Sequence, residues 1–307
     1  MKKNKFYMTI GVPGSGKSTW AKKQDAIIHS SDSIREELLG KYSSIDEVPN
    51  GEVFSIMLQR TKASLTKGEN VVYDATNMSR KDRKYILNRV QDFGAIRVGV
   101  LFLVPISECK RRNESRERTV PEFVIDKMLK RFDVPLYGAE FDEILIVAGG
   151  EMNKDEYNKG TADYMNSFDQ HSPYHTLTLG EHMDKAWEIY DSEYGDKHPP
   201  YVVSAVKLHD IGKPHTFFVG EDNKGHFYGH ENVGAYWYLT RTITKNTTLN
   251  PKDLAYKTAV LINWHMRPYV WGKSEKAKLR DLEYIDRYDP DMYGQLMAIS
   301  KADRKAH

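Results

Sequence analysis

The sequence predicts two folds in tandem, a parallel α/β sheet with helices on both faces followed by an all-α bundle. Three observations carry this. Short apolar runs at Phe6 to Ile10, Ala26 to His29, Asn70 to Tyr73, Ile96 to Val104 and Glu143 to Val147 alternate with stretches of helical spacing, as strands joined by crossover helices do. Gly11-Val12-Pro13-Gly14-Ser15-Gly16-Lys17-Ser18 follows the first run directly, and a glycine-rich turn between strand and helix is a phosphate cradle. Beyond about residue 170 the alternation gives way to helical faces, such as Met183, Ala186, Trp187 and Tyr190, then Val202, Val203, Ala205, Val206 and Leu208.

Each element in turn places a chemical group. After the first strand, Gly11, Gly14 and Gly16 let backbone N–H groups approach phosphates. Lys17 neutralises charge near the β/γ bridge, and the Ser18 hydroxyl can ligate Mg²⁺. With Ser15 and Thr19, these residues form the candidate site for ATP or another nucleoside triphosphate with Mg²⁺. The second strand runs into Ser30-Ser31-Asp32-Ser33-Ile34-Arg35, which puts a carboxylate and a guanidinium at the carboxyl edge of the sheet, where ligands of open α/β folds bind. Asp32 could take a proton from an attacking hydroxyl, or could serve as N-cap of a helix Ser33 to Leu39. Arg35 could hold an acceptor phosphate.

The third strand ends in Asp74-Ala75-Thr76-Asn77, where Asp74 could sit near Mg²⁺ or fix an arginine. The fourth, Ile96 to Val104, is almost unbroken apolar sequence and suits the middle of the sheet; Pro105 ends it. Then comes Lys110-Arg111-Arg112-Asn113-Glu114-Ser115-Arg116-Glu117-Arg118. Arg112 and Arg116 are four residues apart, so a helix would put both guanidiniums on one face, toward a triphosphate. Cys109 reads as a packing residue on that helix.

From Ala148 to about Gln170 the chain turns polar, with little periodicity. The expected organisation is a first domain over 1–150, a linker over 151–170 and a second domain over 171–307. In the second domain, His182, the adjacent pair His209-Asp210, then His230, His265 and Asp303 fall at or near helix ends. Six imidazole and carboxylate groups in a segment without cysteine suit one or two divalent metals, Mn, Fe, Ni, Co or Zn. Lys213 could neutralise a phosphate or serve as a helix-end cation. His171 and His175 read as loop or substrate contacts, and Asp286 is the alternative to Asp303 as last ligand.

Composition narrows the classes. The 307 residues contain 45 Lys and Arg against 43 acidic residues, so no global positive field announces a nucleic-acid partner. One cysteine excludes an internal disulfide framework and fits a reducing cytoplasmic setting. The basic start Met1-Lys2-Lys3-Asn4-Lys5 leads into an apolar run too short for a signal sequence, and no stretch approaches a membrane span.

Two resemblances follow from these motifs. The phosphate loop with Ser18-Thr19-Trp20-Ala21, Asp32-x-x-Arg35, Asp74-Ala75-Thr76-Asn77 and Arg112-Asn113-x-x-Arg116 followed by Val120-Pro121 resemble the 5′-polynucleotide kinase domain of bacteriophage end-healing enzymes, over about residues 6 to 147. A serine stands at position 31, where that pattern carries an arginine. The resemblance implies a P-loop kinase fold with a lid. Asp32 would be general base on a 5′-hydroxyl, Arg35 would bind the acceptor phosphate, and Lys17 and Ser18 would hold donor phosphates and Mg²⁺. Arg116 would be the lid arginine steadied by Asp74, with Arg112 and Arg118 as competing lid candidates.

Glu181-His182, His209-Asp210, Gly229-His230-Glu231, His265 and Asp303 follow the H, HD, H, H, D order of HD-family phosphohydrolases, over about residues 171 to 307. That resemblance implies one metal held by His182, His209, Asp210 and Asp303, with Asp210 bridging to a second held by His230 and His265. The ions would lower the pKa of a water that attacks a phosphoester. One domain adding phosphate and one removing it imply a bifunctional enzyme healing broken nucleic-acid ends, RNA favoured. It would phosphorylate 5′-hydroxyls and hydrolyse 2′,3′-cyclic or 2′/3′-phosphates, with a separate ligase as possible partner. The alternatives are a small-molecule or nucleotide kinase fused to a nucleotide phosphohydrolase, and a kinase carrying a non-catalytic RNA-binding module.

Overall fold

A computed structural model describes residues 3–42, 44, 47–116, 118–171, 176–243 and 250–306. Met1, Lys2, Glu117 of the basic run and His175 lie outside them. Five parallel strands, β1 (Lys5–Ile10), β2 (Ile27–Ser30), β3 (Val71–Asp74), β4 (Ile96–Leu103) and β5 (Glu143–Ala148), form one sheet in the order β2-β3-β1-β4-β5. All pairings are parallel, so every strand delivers its carboxyl end to the same edge. Burial follows position: β3 is buried throughout and β4 from Val98 to Leu103, while the outer strands expose Ile27, Ile28 and Leu145. The chain leaves β1 toward β2 on one side and later reaches β4 on the other, making a topological switch point beside the phosphate loop.

A buried ion pair shapes the loop after β3. Arg83 and Glu140 are fully enclosed and pair side-on, Nε and Nη2 of Arg83 donating to the two carboxylate oxygens at 2.9 and 3.0 Å. The remaining Arg83 nitrogen donates to the carbonyls of Asn77 (3.2 Å) and Met78 (3.0 Å). Asn77 has φ 45° and donates to Thr9 O at 2.8 Å, a left-handed turn that asparagine tolerates.

The expected linker is not featureless: within 151–170 lie the helices Lys154–Asn158 and Ala162–Ser167, each started by a side-chain cap, Asn153 and Thr161. Glu156 there accepts from the backbone N–H groups of Ile106 and Ser107. The helices that follow include Leu179–Tyr194, Pro200–Leu208, His230–Thr242, Leu254–Trp264, Glu275–Tyr288 and Met292–Lys305. The expectation of an all-α second half is corrected by an antiparallel hairpin, β6 (Phe218–Val219) and β7 (Gly225–His226). Two-residue strands between turn residues carry too little alternation to be read in sequence.

One continuous apolar cluster runs from Phe6 and Met8 through Phe132 and Phe141 to Tyr236, Trp264 and Ile299. Polar groups cross the same seam. Tyr236 Oη donates to Val104 O (2.8 Å) and Tyr256 Oη to Pro135 O (2.7 Å). Asn263 donates to Phe132 O (3.0 Å) and accepts from Val134 N (3.0 Å). Arg80 pairs with fully buried Asp281 at 3.2 Å and lies 4.1 Å from the Trp264 ring centroid. No helix among the described residues is long and apolar enough to cross a membrane.

Candidate active sites

A cleft of about 1350 Å³ opens at the carboxyl edge of the sheet. The phosphate loop forms its floor. Gly14 and Gly16 take φ of 82° and 93°, and a Cβ on Gly14 would lie 2.2 Å from Cys109 O, so only glycine fits. Gly11 is equally crowded, by Ser15 Oγ at 2.6 Å. Gly16 precedes the helix Lys17–Ala21, which contains Ser18 and Thr19. Lys17 Nζ donates to Val12 O at 2.8 Å, and burial pulls its pKa down against the attraction of Asp74.

Ser18 Oγ donates to Asp74 Oδ2 at 2.8 Å, and Thr9 Oγ1 donates to Asp74 Oδ1 at 3.2 Å. Asp74 is therefore tied to Ser18 of the loop, and in place of the expected Asp74–Arg116 contact Arg116 meets Asp32. Arg116 lies 3.5 Å from Asp32 Oδ2 and Arg118 3.7 Å from Asp32 Oδ1. The helix Ile106–Glu114 stops before Arg116, so Arg112 and Arg116 do not share a helical face. Arg112 instead bonds Glu108 one turn back at 2.7 Å. With Arg118, all three arginines line the cleft.

Asp32 is not an N-cap. Ser30 has the extended φ and ψ of a cap, the helix runs Ser31–Leu38, and Asp32 sits in its first turn, where a carboxylate complements the helix dipole. Arg35 bonds Val48 O (3.2 Å) and the Asn50 side chain, and both residues line the cleft. Sequence reasoning missed further lining residues of the cleft, Phe54, Met78, Tyr85, Met128 and Arg131, which belong to no motif and so gave no signal. Cys109 is buried on its helix, and burial raises its thiol to about 12.

Around 20 residues of sequence or more separate each member of a second constellation from the next, save the adjacent His209 and Asp210, yet the fold gathers them. His182 stands in the first turns of Leu179–Tyr194, behind a capping box of Thr178 and Glu181. His209 and His265 are the C-caps of Pro200–Leu208 and Leu254–Trp264, His230 opens His230–Thr242, and Asp303 lies in Met292–Lys305. His182, His209, Asp210 and Asp303 place donor atoms within 4.8 Å of one another, as do Asp210, His230 and His265. Asp210 belongs to both groups. Its Oδ2 lies 3.5 Å from His182 Nε2 and 3.4 Å from His209 Nε2, and its Oδ1 lies 3.0 and 3.6 Å from the Nε2 atoms of His230 and His265. Asp303 Oδ1 closes the first group at 3.2 Å from His182 and 3.4 Å from His209.

The donor set fits a cation. Ligands about 2.1 Å from one ion stand roughly 3 Å apart, the spacing found here. The Nδ1 atoms of His209, His230 and His265 meet the carbonyls of Val206 (2.8 Å), Phe227 (3.0 Å) and Ile262 (2.7 Å). An N–H on each Nδ1 satisfies those carbonyls and turns the Nε2 lone pair inward. Nε2 of His230 and His265 face each other at 3.2 Å, and His209 Nε2 is buried with no hydrogen bond. Without a cation the two carboxylates keep a proton on His209: burial opposes its charge, but Asp210 and Asp303 raise it to about 10. Asp210 and Asp303 resist burial and stay well below the usual carboxylate range, through Lys213 and His209 for the first and His209 and His182 for the second. Metal binding would displace that proton.

Lys213 is buried beside the cluster. It lies at the start of Lys213–Thr216 and bonds Asp210 Oδ2 (2.6 Å) and Gln170 Oε1 (2.7 Å). His171 is exposed and pairs with Asp169 at 3.2 Å, and Asp286 is exposed and absent from the cluster. Tyr269, which donates to Asp303 Oδ2 at 2.7 Å, was missed; it lies in the next short helix, Arg267–Trp271, and nothing in its spelling singled it out.

Residues 6–135 match the family model described as an AAA domain. With the five parallel strands, flanking helices and phosphate loop, the N-terminal half is a kinase-like P-loop domain. It is similar to the L-seryl-tRNA(Sec) kinase of Methanococcus maripaludis, 27% identical over 135 residues, covering 41% of this chain and 51% of that protein. The match thus spans about half the curated relative's length. Among solved structures, the Pnkp1/Rnl/Hen1 RNA repair complex aligns with 22% identity and a TM-score of 0.37, over 43% of this chain and 44% of that one. A putative kinase from Chloroflexus aurantiacus aligns with 15% identity and a TM-score of 0.40, over 48% of this chain and 86% of that one.

Proposed function

We propose that the chain is a bifunctional nucleic-acid end-healing enzyme, phosphorylating 5′-hydroxyl ends with ATP and removing 2′,3′-cyclic or terminal phosphates with divalent metal. The observation that carries the reading is the pairing, in one chain, of a phosphate-loop cleft holding an exposed carboxylate with two groups of His and Asp donors, six residues in all, that share Asp210. In the kinase cleft, Asp32 accepts the proton of the attacking hydroxyl, and Arg35 grips the phosphate beyond it. Lys17, Arg112, Arg116 and Arg118 neutralise the triphosphate, and Ser18 with Asp74 receives Mg²⁺. The relative is named as a kinase of an RNA-attached group, L-seryl-tRNA(Sec), which supports an RNA-bearing acceptor.

In the second site, His182, His209, Asp210 and Asp303 would hold one ion and His230 and His265 a second through Asp210. Bound divalent ions supply Lewis acidity and a water of lowered pKa. The chain's own part is to keep the Nε2 lone pairs inward through the three Nδ1–carbonyl contacts, and to hold the carboxylates with Lys213 and Tyr269.

The test is an RNA carrying a 5′-hydroxyl and a 2′,3′-cyclic phosphate, incubated with ATP and a panel of Mn, Fe, Ni, Co and Zn, each terminus scored separately. Healing of both ends is expected. A kinase that accepts only free nucleosides would sink the strand-end reading, and His209→Ala with undiminished hydrolysis would sink the metal site.

A further inference from the structure

The β6–β7 hairpin carries two aromatic faces. Phe218 and His226 are paired across the ladder, which puts their rings on one side, and the turn that follows β7 brings the Tyr228 ring against both. Their centroids are 5.3 Å (Phe218–His226), 5.4 Å (His226–Tyr228) and 5.8 Å (Phe218–Tyr228) apart. Phe217 and Phe227, which flank the two strands, are half-buried and pack on Phe168 at 5.5 and 6.3 Å. The inner face thus accounts for the folding of the hairpin. The outer one stays in solvent, with Phe218 42% and Tyr228 66% exposed.

Exposed rings gathered on one face are costly to hydrate and mark a binding surface. Here they are also held in place: Asp222 Oδ1 fixes the His226 ring at 2.9 Å, so ordering is not left to the ligand. A cation lies beside them, Lys130 Nζ, 5.8 Å from the Phe218 centroid. The location links both candidate sites. Lys130 precedes Arg131 of the kinase cleft wall, and its carbonyl accepts from Asn232 at 2.7 Å. Tyr228 stands two residues before His230, within roughly 7 Å along the chain.

We propose that Phe218, His226 and Tyr228, with Lys130, form a base-stacking platform that holds single-stranded nucleic acid beside the metal cluster. Rings that take base faces with a cation that takes the backbone are the chemistry of sequence-tolerant single-strand binding. This rests on the end-healing reading and adds to it where the body of the strand lies.

The experiment is fluorescence anisotropy of the full chain with a labelled single-stranded RNA of roughly ten nucleotides, already carrying a 5′-phosphate and a 3′-hydroxyl, without ATP. Phe218→Ala/Tyr228→Ala is expected to bind roughly tenfold more weakly with the slope of affinity against salt unchanged, because stacking releases no counterions. Tyr228→Trp is expected to retain wild-type affinity, and Lys130→Gln to lower the salt slope by about one. Since the rings are exposed, each variant should melt as wild type does; if the double variant does not, the Tyr228→Ala single variant carries the test. Undiminished RNA affinity in the variant overturns the platform and assigns the rings to a protein partner. An equal loss for a fully paired duplex, whose base faces are hidden, overturns it too. A wild-type chain that binds no single strand overturns the platform as well, whereas failure to heal either end of the doubly damaged RNA overturns the end-healing reading on which it rests.

Discussion

Asp32 stands more than half exposed between Arg116 at 3.5 Å and Arg118 at 3.7 Å, a carboxylate whose guanidinium partners have a second anion to turn to once donor phosphates enter. Asp32→Asn keeps the shape and removes the base proposed for the kinase cleft. Its 5′-phosphorylation rate is expected to fall by roughly 10²- to 10⁴-fold while ATP affinity by equilibrium titration stays put; normal turnover would mean the proton goes elsewhere. His215 gives the pH prediction. Burial lowers its pKa from 6.5 to about 4, and its Nε2 is sealed without a hydrogen bond. Between those values the unfolded chain binds the proton and the folded chain does not, so stability is full above about pH 6.5 and is lost as pH falls toward 4. The loss attributable to this group is up to about 3 kcal/mol. Urea midpoints compared across that window should fall less steeply in His215→Phe than in wild type.

At the scale of elements, helix ends position most of the chemistry, and their caps matter accordingly. Thr178 Oγ1 accepts from Glu181 N while Glu181 accepts from the Thr178 N–H, one turn ahead of His182. Thr178→Ala should cost about 1 kcal/mol and loosen metal retention; a variant with wild-type melting and metal content would show that packing alone holds His182. Motif-bearing elements were legible from sequence because each has its own local spelling: the glycine loop after an apolar run, His209-Asp210 before Ile211-Gly212, Gly229 before His230. What was not legible depended on where helices stop. Ending Ile106–Glu114 one residue before Ser115 separated Arg112 from Arg116, and starting Ser31–Leu38 at Ser31 made Asp32 a first-turn residue instead of a cap. A shift of one or two residues at a terminus lies below what periodicity resolves. The aromatic hairpin was hidden for a related reason, since its alternation is only two residues long on each strand.

For the whole molecule, the seam between the halves is the feature no composition shift announced. Asn263, Tyr236 and Tyr256 satisfy backbone groups of the other half, and Arg80 packs between Asp281 and Trp264. Calorimetry of the full chain should therefore give one cooperative transition. Removing metal with a chelator should lower that transition as a unit, by about 1.4 kcal/mol for each tenfold of saturation forfeited; two resolved peaks would show the halves melting independently. Trp264 and Asn263 immediately precede His265 in the chain, so strain on the seam is felt at the cluster without any contact to substrate.

The bond from Tyr236 to the carbonyl at the end of β4 bears on how this gene could be divided. A fragment ending near residue 150 would bare the Val104 carbonyl, the Phe132 side chain and the Asn263 partners to water. Its complement would leave Tyr256 and Trp264 uncovered. Each piece expressed alone is expected to be less soluble and to melt lower than the full chain, because these groups meet only across the seam.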